Sequence, residues 1–94
     1  MLIRSQNKEI LVNMDNVKEL FIAEYGTHTD VMATTDGASN IGRYSTKEKS
    51  LKVLDSLQSR YAEYVQIGSV ANGTIGLFDV PKAYSMPQDD EVLE

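Results

Sequence analysis

Apolar residues recur at helical spacing in the middle of the chain. The repeating positions are Leu51, Leu54, Leu57, Tyr61 and Val65, with Val53 and Tyr64 widening the stripe. This period predicts one amphipathic helix over about residues 46–66. Ser45 followed by Glu48 is the pattern of a capping box at the start of that helix, and Gly68 is a typical stop signal after it.

Upstream of the predicted helix, short segments rich in β-branched and aromatic residues alternate with turn-forming residues. The segments predict strands at residues 10–12, 17–25, 31–35 and 41–44. The breaks between them fall at residues 13–16, 26–28 and 36–37, and the Asp36-Gly37 pair is a strong tight-turn signal. Gly42, inside the last of these strands, predicts a bulge or a close approach of the backbone to a neighbouring group.

The C-terminal quarter of the sequence predicts one further strand and then a tail. Residues 74–80 are apolar enough to form a late strand, whereas residues 81–94 carry two prolines and an acidic run and have little to bury. We therefore expect an α+β fold, in which an antiparallel β-meander of four or five strands packs on one amphipathic helix and a late strand follows. Residues 1–80 are expected to form a single domain and residues 81–94 an extended acidic tail.

Length and composition restrict the class of protein. At 94 residues, with 41% hydrophobic and 24% charged residues, the chain has room for one domain and is expected to fold. It contains no apolar run near the ~18 residues of a membrane span and no signal-peptide pattern, so we expect a cytoplasmic protein without membrane contact. Without cysteine there are no disulfides to support so short a chain, and the wide apolar stripe leads us to expect a homodimer.

Charge bears on nucleic-acid binding in two opposite ways. The formal net charge of -5 repels phosphate backbones. A basic cluster nevertheless surrounds the start of the predicted helix, formed by Arg43, Tyr44, Lys47, Lys49 and Lys52. Cations at a helix N-terminus oppose the helix dipole, which hints at a use for them. A nucleic-acid-associated regulator that uses the patch from Arg43 to Lys52 therefore remains an alternative, with nucleic acid a disfavoured partner.

Catalytic and metal-binding patterns are weak in this sequence. His28 is the single histidine, and a zinc site needs three or four ligands that usually include Cys or His. Asp30, Asp36 and Asn40 offer oxygen ligands, but their spacing does not fit a calcium loop. The glycines of residues 68–76 follow the predicted helix, whereas a phosphate-binding loop precedes one. We expect no cofactor and no metal, and a small enzyme is the least favoured alternative.

Tyrosine is the residue type that most favours a binding role, because it can bury its ring and keep its hydroxyl in water. The candidate partner-binding residues are Arg43, Tyr44, Lys47, Lys49, Tyr61, Tyr64 and Tyr84. The favoured hypothesis is a non-catalytic protein-interaction module with an unidentified protein partner. It would act through a sheet edge, a tyrosine-bearing surface or the acidic tail.

Three segments carry a resemblance to a group of known proteins. They are residues 3–6, residues 11–17, and residues 41–48 together with Val53 and Leu54. Over roughly residues 1–58 the chain resembles small uncharacterised proteins of Gram-positive bacteria and their phages. The shared pattern is a strand, an Asp-Asn turn and a strand that runs into a capped helix. The resemblance implies only an intracellular bacterial or phage setting and no activity. The favoured hypothesis of an interaction module includes a phage or mobile-element accessory protein.

Overall fold

Two small sheets and one long helix make up the described part of the chain. The computed structural model describes residues 1–71 and 83–93, with side chains for residues 1–63 and 83–93. In chain order the elements are β1 (Leu2–Arg4), β2 (Leu11–Asn13), β3 (Glu19–Glu24), β4 (Thr29–Thr34), β5 (Ala38–Tyr44), α1 (Lys47–Ala71) and β6 (Ala83–Ser85). Short 3-10 turns lie at Met14–Asn16 and Asp89–Glu91. The predicted α+β class is confirmed.

The predicted meander is present as a sheet of three strands in the order β3-β4-β5, all antiparallel. Tyr25 N donates to His28 O at 2.9 Å across the first hairpin, and Thr35 N donates to Gly37 O at 3.0 Å across the second. The turn predicted at Asp36-Gly37 therefore lies where the sequence placed it. On β4, Val31 and Ala33 are buried on the face that packs against the core.

The second sheet has the order β2-β1-β6 and joins the two ends of the chain. β1 pairs antiparallel with β2 and parallel with β6. The expectation of one meander of four or five strands thus fits the described strands only roughly, because β2 belongs to this separate sheet. A strand as short as β1, with three residues, has too little alternation to be recognised in the sequence.

The sequence predicts a bulge or a close approach of the backbone at Gly42, and the structure shows both. Val31 pairs with Gly42 and Met32 with Asn40, so Ile41 is the extra residue of a bulge on β5. A Cβ atom on Gly42 would lie 2.9 Å from Cε2 of Tyr44 and 3.0 Å from Cε of Met86. Because Gly42 has no side chain, its backbone can lie in contact with the Tyr44 ring.

Helix α1 begins later and ends later than the sequence predicts. It starts at Lys47, and Thr46 Oγ1 accepts a hydrogen bond from Lys49 N at 3.2 Å. The backbone amide of Ser45 donates to Asp89 Oδ1 at 2.7 Å. The predicted capping box of Ser45 with Glu48 is therefore wrong, since the capping hydroxyl is that of the next residue and the Ser45 amide binds another carboxylate.

The predicted stop signal is also wrong, because α1 continues through Gly68 to Ala71. Glycine inside a helix costs about 1 kcal/mol relative to alanine, which a helix held by other contacts tolerates. The buried face is centred on Ser50, Val53 and Leu57, whereas Leu51 of the predicted stripe is 42% exposed. The helix face that meets the core is thus turned by about one residue from the predicted one.

Residues 83–93 differ from the extended tail that the sequence predicts. Tyr84 and Met86 are buried in the core, and Met86 N donates to Arg4 O at 3.0 Å. The partner of β6 is β1, at the other end of the chain, so no local pattern in residues 83–93 could reveal the pairing. The late strand predicted at residues 74–80 lies outside the described residues. Within the described residues, no helix is both long and apolar enough to cross a membrane.

Candidate functional site

Asp30, the most deeply buried carboxylate of the described residues, is surrounded by side chains of β5 and of the loop before β4. Asp30 is 3% exposed and lies opposite Arg43, whose Nε and Nη2 donate to its two oxygens at 2.9 and 3.2 Å. Asn40 Nδ2 donates to Oδ2 at 2.8 Å, and His28 Nε2 lies 3.9 Å from Oδ1. The hydrogen bond to Asp30 raises the pKa of Arg43. The carboxylate is thereby fully engaged in holding β4 and β5 together.

His28 also has neighbours that occupy it. Its Nδ1 lies 3.0 Å from Thr27 Oγ1, and its ring centroid lies 4.9 Å from that of Tyr25. No group of three or more His, Cys, Asp and Glu side chains in the described ranges is placed to hold a metal ion. Asp30 and Asn40 are hydrogen-bonded to each other on the sheet, and His28 lies in the loop between β3 and β4.

The lysines of the predicted basic patch all contact acidic or carbonyl oxygens of the same chain. Lys47 Nζ lies 3.5 Å from Glu24 Oε2, and Lys49 Nζ lies 3.4 Å from Asp89 Oδ2. Lys49 Nζ also donates to Asp89 O at 3.0 Å, and Lys52 Nζ donates to Leu93 O. The structure brings the patch together at the start of α1, but in this arrangement its positive charge is largely balanced from within.

Asp89 joins the C-terminal segment to the start of α1. It accepts from the backbone amide of Ser45 as well as from Lys49. The hydrogen bond from the Ser45 amide, more than any other contact, lowers the pKa of Asp89. Gln88 Nε2 donates to Gln6 O at 2.9 Å, which adds a second attachment. The acidic residues that the sequence assigns to a free tail thus include one with a structural role.

Two of the candidate tyrosines are core residues. Tyr44 is 1% exposed, and its hydroxyl donates to Pro87 O at 2.8 Å. Burial raises the pKa of Tyr44 above its ordinary value. Tyr84 is also buried, and its hydroxyl donates to Ser56 Oγ at 3.0 Å. Neither ring is available to a partner on the surface of this fold.

The other tyrosines are spread over the molecule. Tyr61 is half-buried, and its hydroxyl donates to Asp15 Oδ1 at 3.1 Å. Tyr25 is 54% exposed in the loop after β3. The side chain of Tyr64 lies outside the described residues. A shared tyrosine-bearing surface, as expected from the sequence, is therefore not formed by Tyr44, Tyr61 and Tyr84.

At the outer edge of β5, the backbone and side chain of Gln6 form hydrogen bonds with the strand. Gln6 N donates to Ile41 O at 2.8 Å, and Arg43 N donates to Gln6 Oε1 at 2.9 Å. Gln6 Nε2 completes the set by donating to Arg43 O at 2.9 Å. These contacts satisfy backbone groups that an edge strand otherwise presents to other chains.

The opposite edge of the same sheet, along β3, has no such cover in residues 1–71 and 83–93. There β3 has one hydrogen-bonded neighbour, β4. Because Tyr25 N bonds across to His28 O, the alternation of the antiparallel ladder directs the backbone groups of Leu20, Ile22 and Glu24 away from β4. β3 has six residues, whereas each strand of the β2-β1-β6 sheet has three residues.

An apolar groove runs along this same edge, between β3 and α1. Its lining residues are Met14, Leu20, Leu54, Gln58, Tyr61 and Ala62. Leu20 and Ile22 lie opposite the buried Ala33 and Val31, so both face the side of the groove, whereas Phe21 lies opposite Met32 on the outer face. We name the open edge of β3 together with this groove the β3 surface.

The β3 surface contains one of the predicted partner-binding residues, Tyr61. Leu20, Phe21 and Ile22 are not among the partner-binding residues expected from the sequence, although the sequence carries a signal for them. Residues 20–23 form an apolar run with charge only at its ends, without the lysine or proline that commonly protects an edge strand. Comparison with family models, with curated proteins and with solved structures finds no match to this chain.

Proposed function

We propose that the protein is a non-catalytic interaction module that binds an extended segment of protein along the β3 surface. The observation that carries the proposal is the difference between the two edges of one sheet. Gln6 makes three hydrogen bonds to the backbone of β5, whereas β3 faces outward with its ladder groups unpaired by the described residues. An added strand would complete the ladder there.

The chemistry of the β3 surface suits such a strand. The backbone groups of Leu20, Ile22 and Glu24 supply donors and acceptors, and the apolar side chains beside the groove supply area to bury. Burial of apolar area contributes roughly 25 cal/mol per Å², while the main-chain hydrogen bonds fix the alignment of the two strands. The apolar side chains would therefore supply most of the affinity, and the backbone groups of β3 would set the alignment.

The charges of the molecule weigh against nucleic acid as the partner. Arg43, Lys47 and Lys49 each lie within 4 Å of a carboxylate of the same chain. Contacts to phosphate would have to compete with these ion pairs under an overall negative field. Protein is therefore the better candidate, and an accessory role inside a bacterial cell stays part of this proposal.

Site-specific photo-crosslinking in the cells that normally make the protein tests this proposal. Phe21 is replaced by p-benzoylphenylalanine, which places the reactive group on the open strand, and the matched control carries it at Ser59, on an exposed position of α1. We expect irradiation to join a defined protein at position 21 and not at position 59. Equal labelling at both positions, or labelling at neither, would contradict a binding site on β3.

A further inference from the structure

We propose that a cationic surface beside the start of α1 is a second binding site, that its partner is an acidic segment of another protein, and that residues 88–93 occupy it as an internal competitor. The surface consists of the Ser45 amide and the ammonium groups of Lys49 and Lys52, and we name it the α1 site. We name residues 88–93 the acidic segment. The α1 site shares no residue with the β3 surface.

The acidic segment is attached to the fold in a different way from the residues that precede it. Tyr84 and Met86 are buried in the core, whereas no residue of the acidic segment is buried. The acidic segment is attached through ion pairs and hydrogen bonds at the surface, among them the bond from Gln88 Nε2 to Gln6 O. Surface ion pairs add little to stability. The acidic segment can therefore leave the α1 site while Tyr84 and Met86 stay in the core.

The contacts at the α1 site recognise one carboxylate and two main-chain carbonyls. The Ser45 amide donates to Asp89 Oδ1 at 2.7 Å, and Lys49 Nζ lies 3.4 Å from Asp89 Oδ2. Lys49 Nζ also donates to the carbonyl of Asp89 at 3.0 Å, and Lys52 Nζ donates to that of Leu93. Any protein segment in which an acidic residue begins a short turn can present the same groups. The contacts thus do not depend on the particular sequence of residues 88–93.

Charge favours an acidic protein segment over a nucleic acid at the α1 site. Hydrogen bonds from ammonium groups are strongest to ionised acceptors, so a carboxylate suits Lys49. An acidic segment that replaces residues 88–93 brings a charge similar to the one it displaces. A nucleic acid instead brings a long row of phosphates against a chain with a net charge of -5, and it has no main-chain carbonyls to offer Lys49 and Lys52.

The covalent connection makes residues 88–93 an efficient competitor. A segment of the same chain acts at a high effective concentration, so it occupies the α1 site for most of the time. The apparent affinity of an outside partner is reduced in proportion to the fraction of molecules in which the site is open. A change that loosens the acidic segment should therefore increase binding of an acidic partner.

A peptide that supplies the acidic segment from outside tests the α1 site. The probe is a fluorescein-labelled peptide with the sequence of residues 87–93, titrated by anisotropy against full-length variants. Asp89→Ala removes the carboxylate that the α1 site holds, and Asp90→Ala is the control, because it removes the same charge from an exposed position of the same turn. We expect the peptide to bind Asp89→Ala roughly tenfold more tightly than Asp90→Ala or the wild type.

A third variant places the bound peptide. Lys49→Ala, added to Asp89→Ala, removes the cation that contacts both the carboxylate and the carbonyl of residue 89. We expect the added substitution to weaken peptide binding by roughly tenfold. Circular dichroism of each variant verifies that it is folded before the titration.

Amide hydrogen exchange of the wild-type chain tests release without any substitution. The Ser45 amide bonds to the acidic segment, whereas the Met86 amide bonds to Arg4 O beside the core. If the acidic segment leaves alone, the Ser45 amide exchanges far faster than the Met86 amide. Equal and slow exchange of the two amides would mean that the segment leaves only when the core opens, and would overturn the internal competitor.

The remaining outcomes are equally decisive. Equal binding of the peptide by Asp89→Ala and Asp90→Ala, or its absence from both, overturns the α1 site, as does binding that is unchanged by the added Lys49→Ala. None of these results bears on strand addition along β3, which the photo-crosslink at position 21 tests separately.

Discussion

At the scale of the residue, the contact of Gly42 with Tyr44 and Met86 shows how the two sheets depend on each other. The Tyr44 ring lies beneath the bulge of β5, and Met86, just after β6, touches the same backbone position. The hydroxyl of Tyr44 reaches Pro87 O, so the ring links a strand of one sheet to the chain segment that leaves the other. A side chain at position 42 would have to displace these groups.

We therefore expect Gly42→Ala to lower the free energy of unfolding by about 1–3 kcal/mol, because the added Cβ enters contact distance of a buried ring. Gly26→Ala is the matched control, since a Cβ at that position meets no atom within 4 Å. Its free energy of unfolding should stay the same or rise by up to about 1 kcal/mol. Urea unfolding of both variants checks the pair, and equal losses would contradict the packing around Tyr44.

At the scale of the element, the sequence predicts what local periodicity encodes. The strands of the β3-β4-β5 sheet and the helix follow from the alternation and the helical spacing of their apolar residues. The pairing of β6 with β1 depends on contacts between residues about 80 positions apart, which no local pattern reports. The capping residue was misassigned for a related reason, because Asp89 binds the Ser45 amide that a local capping box would have used.

The candidate site, like the fold, can be predicted from the sequence only where local features encode it. The cations of the basic patch lie near the start of α1, but the carboxylates that pair with Arg43, Lys47 and Lys49 lie on another strand or in the C-terminal segment. The burial of Tyr44 and Tyr84 likewise follows from tertiary packing. The apolar run of β3, by contrast, was visible in the sequence, and the difference between its edge and that of β5 became apparent only once Gln6 was located.

The link between the C-terminal segment and α1 predicts a dependence on pH. The pKa of Asp89 is lower in the folded chain than its ordinary value, so its stabilising contribution is full above about pH 4 and is lost as the pH falls through the folded-state pKa. Asp89→Asn should therefore be less stable than the wild type at pH 7, and the difference should shrink as the pH falls below about 4.

Urea unfolding of the wild type and the Asp89→Asn variant at pH 7 and at about pH 3 measures this difference. Asp90→Asn is the control for the loss of one negative charge in the same turn, because Asp90 is exposed beside Asp89. The control should show no comparable loss of stability at pH 7. A loss from Asp89→Asn that is the same at both pH values would contradict an ionised Asp89 as the link.

At the scale of the whole molecule, the positive charges near the start of α1 are used within the fold, and one edge of the larger sheet is covered. Arg43 pairs with Asp30, and Gln6 closes the edge of β5. What the described residues leave open is the β3 surface, with its aligned backbone groups and its apolar groove. These features together favour the addition of a strand along β3.

Amide hydrogen exchange along β3, resolved residue by residue, tests that claim most directly. The amides of Phe21 and Ala23 point toward β4, whereas those of Leu20 and Ile22 point outward. We expect the outward amides to exchange slowly when the protein captured at position 21 is bound and rapidly when it is removed, with the inward amides protected in both states. If the outward amides exchange equally fast with and without that protein while the inward amides stay protected, no strand is added along β3.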